Sequence, residues 1–273
     1  MMFVLIESMR ILVVICHMVN KRILLKLFAS ACLITFCFML DNIDVYWSAI
    51  KGEIFVDVQY FWLNSVIYGG IFGGYFICIL ASYPYAGVFI DEYKQGIWKY
   101  VIKRYGIRRY VWSNVSKSFV CGSLSALIGG VFFVGGTSIK CSLFDSNRLV
   151  EVTGWLPFSH FLEVKPILYF IFSLFLLAVH GGILSMLTYM CSCYYPVKQF
   201  IYISPFIISF VVGRVNAITN IDSQFRIDYI LCGRSGAENN IIYIFSVIII
   251  WFLIYCICYI LSYIKIRRRL ENE

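Results

Sequence analysis

Six long runs that are almost free of charge constrain this chain more than any other feature: Ile23–Leu40, Phe61–Ile90, Ser118–Thr137, Ile167–Cys191, Pro196–Gly213 and Ile241–Ile264. At about 1.5 Å per helical residue, each is long enough to cross the roughly 30 Å hydrocarbon core of a bilayer. No backbone polar group can stay unpaired in lipid, and the runs lack the alternation of a barrel strand, so they must be helices. Composition agrees, with 61% hydrophobic and 14% charged residues, against about 25% charged in a soluble domain. The expected fold is an all-α membrane protein of six transmembrane helices. One polytopic domain fills residues 1–273, with no linker, low-complexity tract or internal repeat.

The first 22 residues are apolar in a different way. At 100° per residue, Glu7, Arg10, His17 and Lys21 fall in one sector, and Phe3, Leu5, Ile6, Leu12 and Ile15 cover much of the rest. This pattern predicts an N-terminal interfacial helix lying along the membrane surface. No small-residue cleavage site before Asp41 supports a secretory signal in its place. With the N-terminus inside, 16 of the 23 Lys and Arg residues fall in inward-facing segments and 7 in outward-facing ones. The bias places both termini and the loop of residues 91–117 in the cytoplasm. The formal net charge of +8 is therefore a topology signal and does not call for nucleic acid.

Within the spans, G-G-I-F-G-G sets Gly69 and Gly73, and equally Gly70 and Gly74, at the small-x-x-x-small spacing that lets helices pack closely. Gly122, Gly129, Gly130, Gly181 and Gly182 extend that expectation to the third and fourth spans. Pro84 predicts a kink or tilt in the second. His180 is the ionisable group nearest a span centre and is read as packing, because no carboxylate shares its depth. Lys26 and Lys198 sit near span ends, where their stems can snorkel. Most of the eleven cysteines lie in spans as small apolar residues. Cys141 and Cys232 alone fall on the outer side, where a disulfide survives. A phosphate-binding loop, a zinc-protease helix motif and a serine nucleophile elbow are all absent from the sequence. No residue here is expected to be catalytic.

Against this background Asp91–Tyr110, D-E-Y-K-Q-G-I-W-K-Y-V-I-K-R-Y-G-I-R-R-Y, is a basic, aromatic island. Two acids suit its helix start, and the segment is helix-competent to Arg104 before Gly106 interrupts it. Read as one helix, it places Tyr93, Ile97, Tyr100 and Val101 on one side and Gln95, Lys99 and Lys103 on another. The plainest use for such a stretch is to rest on anionic lipid headgroups.

The acid-bearing D-E-Y, then Gly96, Lys99-Tyr100 and a basic stretch through Arg109-Tyr110 into a third span, resembles the first cytoplasmic loop of permease subunits in the exporter-like type-2 class of ABC transporters. The layout is similar over nearly the whole chain: an interfacial helix, six spans, a short turn at Ser192–Gln199 and a longer external segment before the last span. The resemblance implies a permease subunit with a coupling helix that docks on a separate soluble ATPase, paired with a second permease subunit. The abundance of Ile, Lys, Tyr and Asn points to a bacterium with an AT-rich genome and so to its plasma membrane. ATP and magnesium would belong to the ATPase. Together with the helical face read above, the resemblance gives docking to Asp91, Glu92, Tyr93, Gly96, Ile97, Tyr100, Val101 and Arg104, of which the resemblance itself matches Glu92 to the family's acidic position and Gly96 to its glycine. Y-G-I-R-R-Y departs from the family where many relatives carry a proline. The alternative is a polytopic protein outside that family, a channel-like bundle or an assembly scaffold, whose basic loop binds lipid.

Overall fold

A computed structural model of the chain describes residues 21–67, 70–144, 157–158, 161, 164–219, 230 and 240–272. The interfacial helix expected in the first 22 residues falls almost wholly outside this set, as do Gly69 and Cys232. In chain order the helices are α1 (Lys21–Leu40), α2 (Ile43–Ile50), α3 (Val58–Trp62), a π-helical turn (Leu63–Ile67), α4 (Ile71–Ala86), α5 (Val88–Lys94), α6 (Ile97–Tyr105), α7 (Ile107–Ser138), α8 (Pro166–Tyr194), α9 (Lys198–Ile218) and α10 (Asn240–Asn272). Among the described residues six helices are long and apolar enough to cross a membrane: α1, α4 running on into α5, α7, α8, α9 and α10. The described residues thus form a helical bundle with the six long apolar helices of a multi-pass membrane protein. Lys26 near the start of α1 lies over Tyr83 near the end of α4, and Arg269 near the end of α10 lies over Tyr93 of α5. The first and last described helices therefore begin and end at the same end of the bundle.

Lipid tails are as apolar as leucine, so burial of leucine cannot hold such helices together, and close approach must. The central pair is α7 and α8. A β-carbon built on Gly122 would stand 2.6 Å from the Gly181 carbonyl oxygen, and one on Gly181 would stand 2.7 Å from Ala126 Cβ. Ser118 Oγ donates to the Ser185 carbonyl at 2.7 Å across the same seam. On the other side of α7, α1 buries the helical stripe Ser30, Ala31, Ile34, Cys37 and Phe38. Thr35 Oγ1 donates to the Gly129 carbonyl at 2.9 Å there. α4 packs on α1, α7 and α8, α9 rests on α4 and α8, and α10 on α8 and α7. His180 lies half-buried in α8 beside the Gly181 seam.

The second span departs from expectation. Residues 61–90 do not form one helix: the chain is interrupted before Ile71, and α4 with α5 supplies the crossing from there to Lys94. Residues 58–67 instead turn inward at the end away from α6, where Phe61 and Trp62 are fully buried. Trp62 meets Phe38, Phe133 and Phe170 at ring-centroid distances of 6.5, 6.5 and 6.2 Å. The cause is Asp41, whose carboxylate accepts from the Phe72 and Gly73 amides at 2.9 and 2.5 Å and so caps a new helix start. Gly70 and Gly73 make room for it, since a β-carbon at Gly70 would run into that carboxyl group and one at Gly73 would meet Phe38, Asp41 and the Ser65 carbonyl within 2.9 Å. What approaches these two glycines is an acid and a ring from the end of α1. Gly74 continues the helix, its amide donating to the Gly70 carbonyl at 2.8 Å.

Pro84 sits inside α4 and cannot donate to the Leu80 carbonyl four residues back. Ser30 of α1 takes over that acceptor, its Oγ donating to Leu80 O at 2.5 Å. Pro205 poses the same problem in α9, and Ser204 Oγ donates to the Ile201 carbonyl at 2.9 Å. Ser30 is fully buried, so Ser30→Ala leaves the Leu80 carbonyl unpaired where water cannot reach it. The expected loss is about 1–3 kcal/mol, read as a lower unfolding midpoint in detergent. Ser138→Ala, at an exposed hydroxyl that donates to the Gly135 carbonyl, should leave the midpoint within about 0.5 kcal/mol of wild type.

Candidate functional site

The middle of the basic island folds as a separate short helix, α6. Gly96 and Gly106 have φ of +70° and +81° and bracket α6 on both sides. Gly96 is a left-handed turn and Gly106 is extended with positive φ, both conformations that glycine adopts without strain. A β-carbon at either would meet nothing within 4 Å, so the backbone conformation, and not crowding, requires glycine there. Between them I-W-K-Y-V-I-K-R-Y turns Trp98 and Ile102, one helical turn apart, into the bundle, with Trp98 only 1% exposed. The opposite face stands free: Tyr100 is 74% exposed and Ile97 43%, and Lys103 and Arg104 are exposed beside them. Arg104 lies over the Tyr105 ring at 5.4 Å and Lys99 over that of Trp98 at 5.9 Å.

The residues assigned to docking divide by where the structure puts them. Ile97, Tyr100 and Arg104 lie on the outer face of α6, and Val101 is half-buried against the core. Asp91, Glu92 and Tyr93 belong to α5, the end of the second crossing, and each is engaged within the chain. Asp91 Oδ1 pairs with Lys198 Nζ at 2.8 Å, joining α5 to the start of α9. Both partners are about half exposed, and such a pair contributes about 0–1 kcal/mol. Glu92 is turned inward, its Oε2 accepting from Tyr110 OH at 2.5 Å and so bridging α5 to α7. Tyr93 stacks on Phe89 at 6.0 Å and meets Trp98 at 5.8 Å.

The common face expected for Tyr93, Ile97, Tyr100 and Val101 does not form, because the left-handed turn at Gly96 resets the helical phase. Arg108 and Arg109, expected in the loop, are in the first turn of α7, which begins eleven residues before the third run. The α8–α9 turn is as short as expected, three residues from Tyr195 to Val197.

The inward residues Trp98, Ile102, Tyr110 and Asn114 carry no functional motif. The i, i+4 spacing of Trp98 and Ile102 is the one local signal that finds two of them. Tyr110 and Asn114 become legible only with their partners, Tyr85 OH donating to Asn114 Oδ1 at 2.6 Å. α6 is gripped on its inner face, and its outer face is exposed. Comparison of the chain with protein-family models, with curated proteins and with solved structures finds no match to any of them.

Proposed function

We propose that this chain is the membrane-spanning permease subunit of an ATP-driven exporter of the type-2 ABC class, moved by a separate soluble ATPase that docks on α6. The observation that carries the reading is the mounting of α6. A nine-residue helix between two positive-φ glycines has one face packed against the bundle and presents Ile97, Tyr100, Lys103 and Arg104 on the other. An exposed tyrosine beside an arginine is the pairing that protein-docking surfaces are enriched in. In this reading both chain ends and α6 are cytoplasmic, a second permease subunit completes the transport path, and the membrane is a bacterial plasma membrane. ATP with its magnesium is held by the partner. Closure of two ATPase subunits pulls α6, and the helices above it tilt as rigid bodies to change the open side.

The test is capture of the ATPase encoded in the neighbouring reading frame by the detergent-solubilised permease. Tyr100→Ala should weaken capture by about 1–3 kcal/mol, as truncation of an interface anchor does. Lys103→Ala, which removes one wet charge, should cost well under about 1 kcal/mol. The reverse order, with binding to anionic vesicles that falls steeply with salt, would replace this reading with a lipid-binding loop.

A further inference from the structure

We infer that Arg269, in the last turn of α10, is the positioning residue that joins α6 to the ends of the fourth and last spans. The inference deepens the proposed function and rests on it for its role in transport, while the join itself rests on geometry. α6 packs on its chain neighbours α5 and α7, so a pull on it would at first sight be felt by the second and third spans only. A second route runs through side chains. Trp98, the wedge of α6, meets Tyr93 of α5 with ring centroids 5.8 Å apart. The Arg269 guanidinium lies over the same Tyr93 ring, 4.6 Å from its centroid. Its Nη2 donates to the carbonyl of Tyr194 at 3.1 Å. Tyr194 is the final residue of α8, so that oxygen belongs to the carbonyls a helix C-terminus leaves without intrahelical partners. Tyr194 in turn reaches back to α10, its hydroxyl donating to the Leu261 carbonyl at 3.3 Å, with Lys265 Nζ over its ring at 5.3 Å.

One guanidinium therefore holds α5, α8 and α10 together directly below α6. Its environment makes the role specific to arginine. Nη1 is shielded from solvent and has no hydrogen-bond partner, so the charge is balanced by the Tyr93 ring face and by the negative end of α8. A planar guanidinium can lie flat on a ring and donate edge-on at the same time, and a lysine ammonium cannot. The neighbouring residues of the same R-R-R run are placed differently: Arg267 is exposed and pairs with Glu271 at 2.8 Å, and Arg268 is exposed.

Amide hydrogen exchange of the full chain in lipid nanodiscs tests the join without any partner. Arg269→Ala should speed exchange across Ile97–Tyr105 about 10-fold, equivalent to about 1.4 kcal/mol, together with exchange at the end of α10. Arg269→Lys should do nearly the same, and Arg267→Ala should leave α6 at the wild-type rate. Tyr93→Leu, which removes the shared ring from the other side, should speed exchange of residues 266–272. It stands in if Arg269→Ala does not accumulate. Loosening confined to the α10 end with α6 unchanged, or an equal effect from Arg267→Ala, would overturn the inference. The exchange result is separate from ATPase capture: a loosened α6 in a chain that binds no ATPase leaves the join standing and removes the transport reading. Intact capture with no transfer of exchange does the reverse.

Discussion

Gly122→Leu is expected to abolish the folded bundle, measured as loss of the monodisperse species after extraction into mild detergent. The first carbon of any side chain at this position already meets backbone, 2.6 Å from the Gly181 carbonyl oxygen and 3.2 Å from its carbon. Backbone of a packed helix cannot swing aside as a side-chain tip can, so α7 and α8 must separate. Separation also breaks the Ser118–Ser185 bond on the adjoining turn. Overpacking in a close-packed interior typically costs about 1–3 kcal/mol, and the loss of the seam should carry this variant beyond that range. Two other glycines calibrate the claim. A β-carbon at Gly182 would meet the Ser123 hydroxyl and the edge of the Phe119 ring, both side-chain atoms that can yield, whereas at Gly135 it would meet nothing within 4 Å. The expected order of damage is Gly122→Leu, then Gly182→Leu, then Gly135→Leu. The last should be neutral or slightly stabilising, because it removes a helix-interior glycine. Equal tolerance of Gly122→Leu and Gly135→Leu would show that α7 and α8 do not meet at this seam.

The parts of this structure that were legible in the sequence are those set by averages over many residues. Hydropathy summed along twenty positions locates the crossings, because every apolar residue votes and single errors cancel. The interior of the second crossing was not legible, since its start is decided by Asp41, a residue 31 positions before Phe72 that lies at the end of another helix. The G-G-I-F-G-G stretch is visible to anyone reading the chain. That its glycines accommodate a carboxylate is visible only once α1 and α4 lie side by side. At the other end, the island of charge is legible as helix-forming, but the grouping of Tyr93 with Ile97, Tyr100 and Val101 on one side is not what forms. A single helical phase through Gly96 would be needed for that grouping, and a left-handed residue does not preserve it. Tyr93, grouped with that face by its spacing, meets Trp98, and Glu92, matched through the family resemblance, accepts from Tyr110. Arg269 had no local signal at all, being one of three consecutive arginines of which only one turns inward.

Asp41→Ala should be the most damaging substitution at the opposite end of the bundle, and its effect should reach beyond the residue itself. The carboxylate satisfies two of the amides at the start of α4, which have no carbonyl in the preceding turn to accept them. It also places negative charge at the positive end of that helix. Hydrogen bonds to charged groups contribute about 1.5–3 kcal/mol, and removal of the acid leaves both donors unpaired, so a loss on the order of 3 kcal/mol is expected. Asp41→Asn keeps one acceptor and should lose about half of that. The neighbouring polar cluster gives a second readout. Asn64 Nδ2 donates to the Asp41 carbonyl at 3.3 Å and to Asn42 Oδ1 at 3.0 Å, and Asn42 Nδ2 donates to the Phe38 carbonyl at 2.9 Å and to Ser65 Oγ. Residues 58–67 are thus held to the end of α1 independently of the Asp41 carboxylate. If the acid acts only as the cap of α4, Asp41→Ala should speed amide exchange in the first turn of α4 and leave Phe61 and Trp62 protected. Loss of protection across the whole of residues 58–74 would mean that the carboxylate holds the inturned segment as well, and that the break in the second crossing and its aromatic plug form one unit.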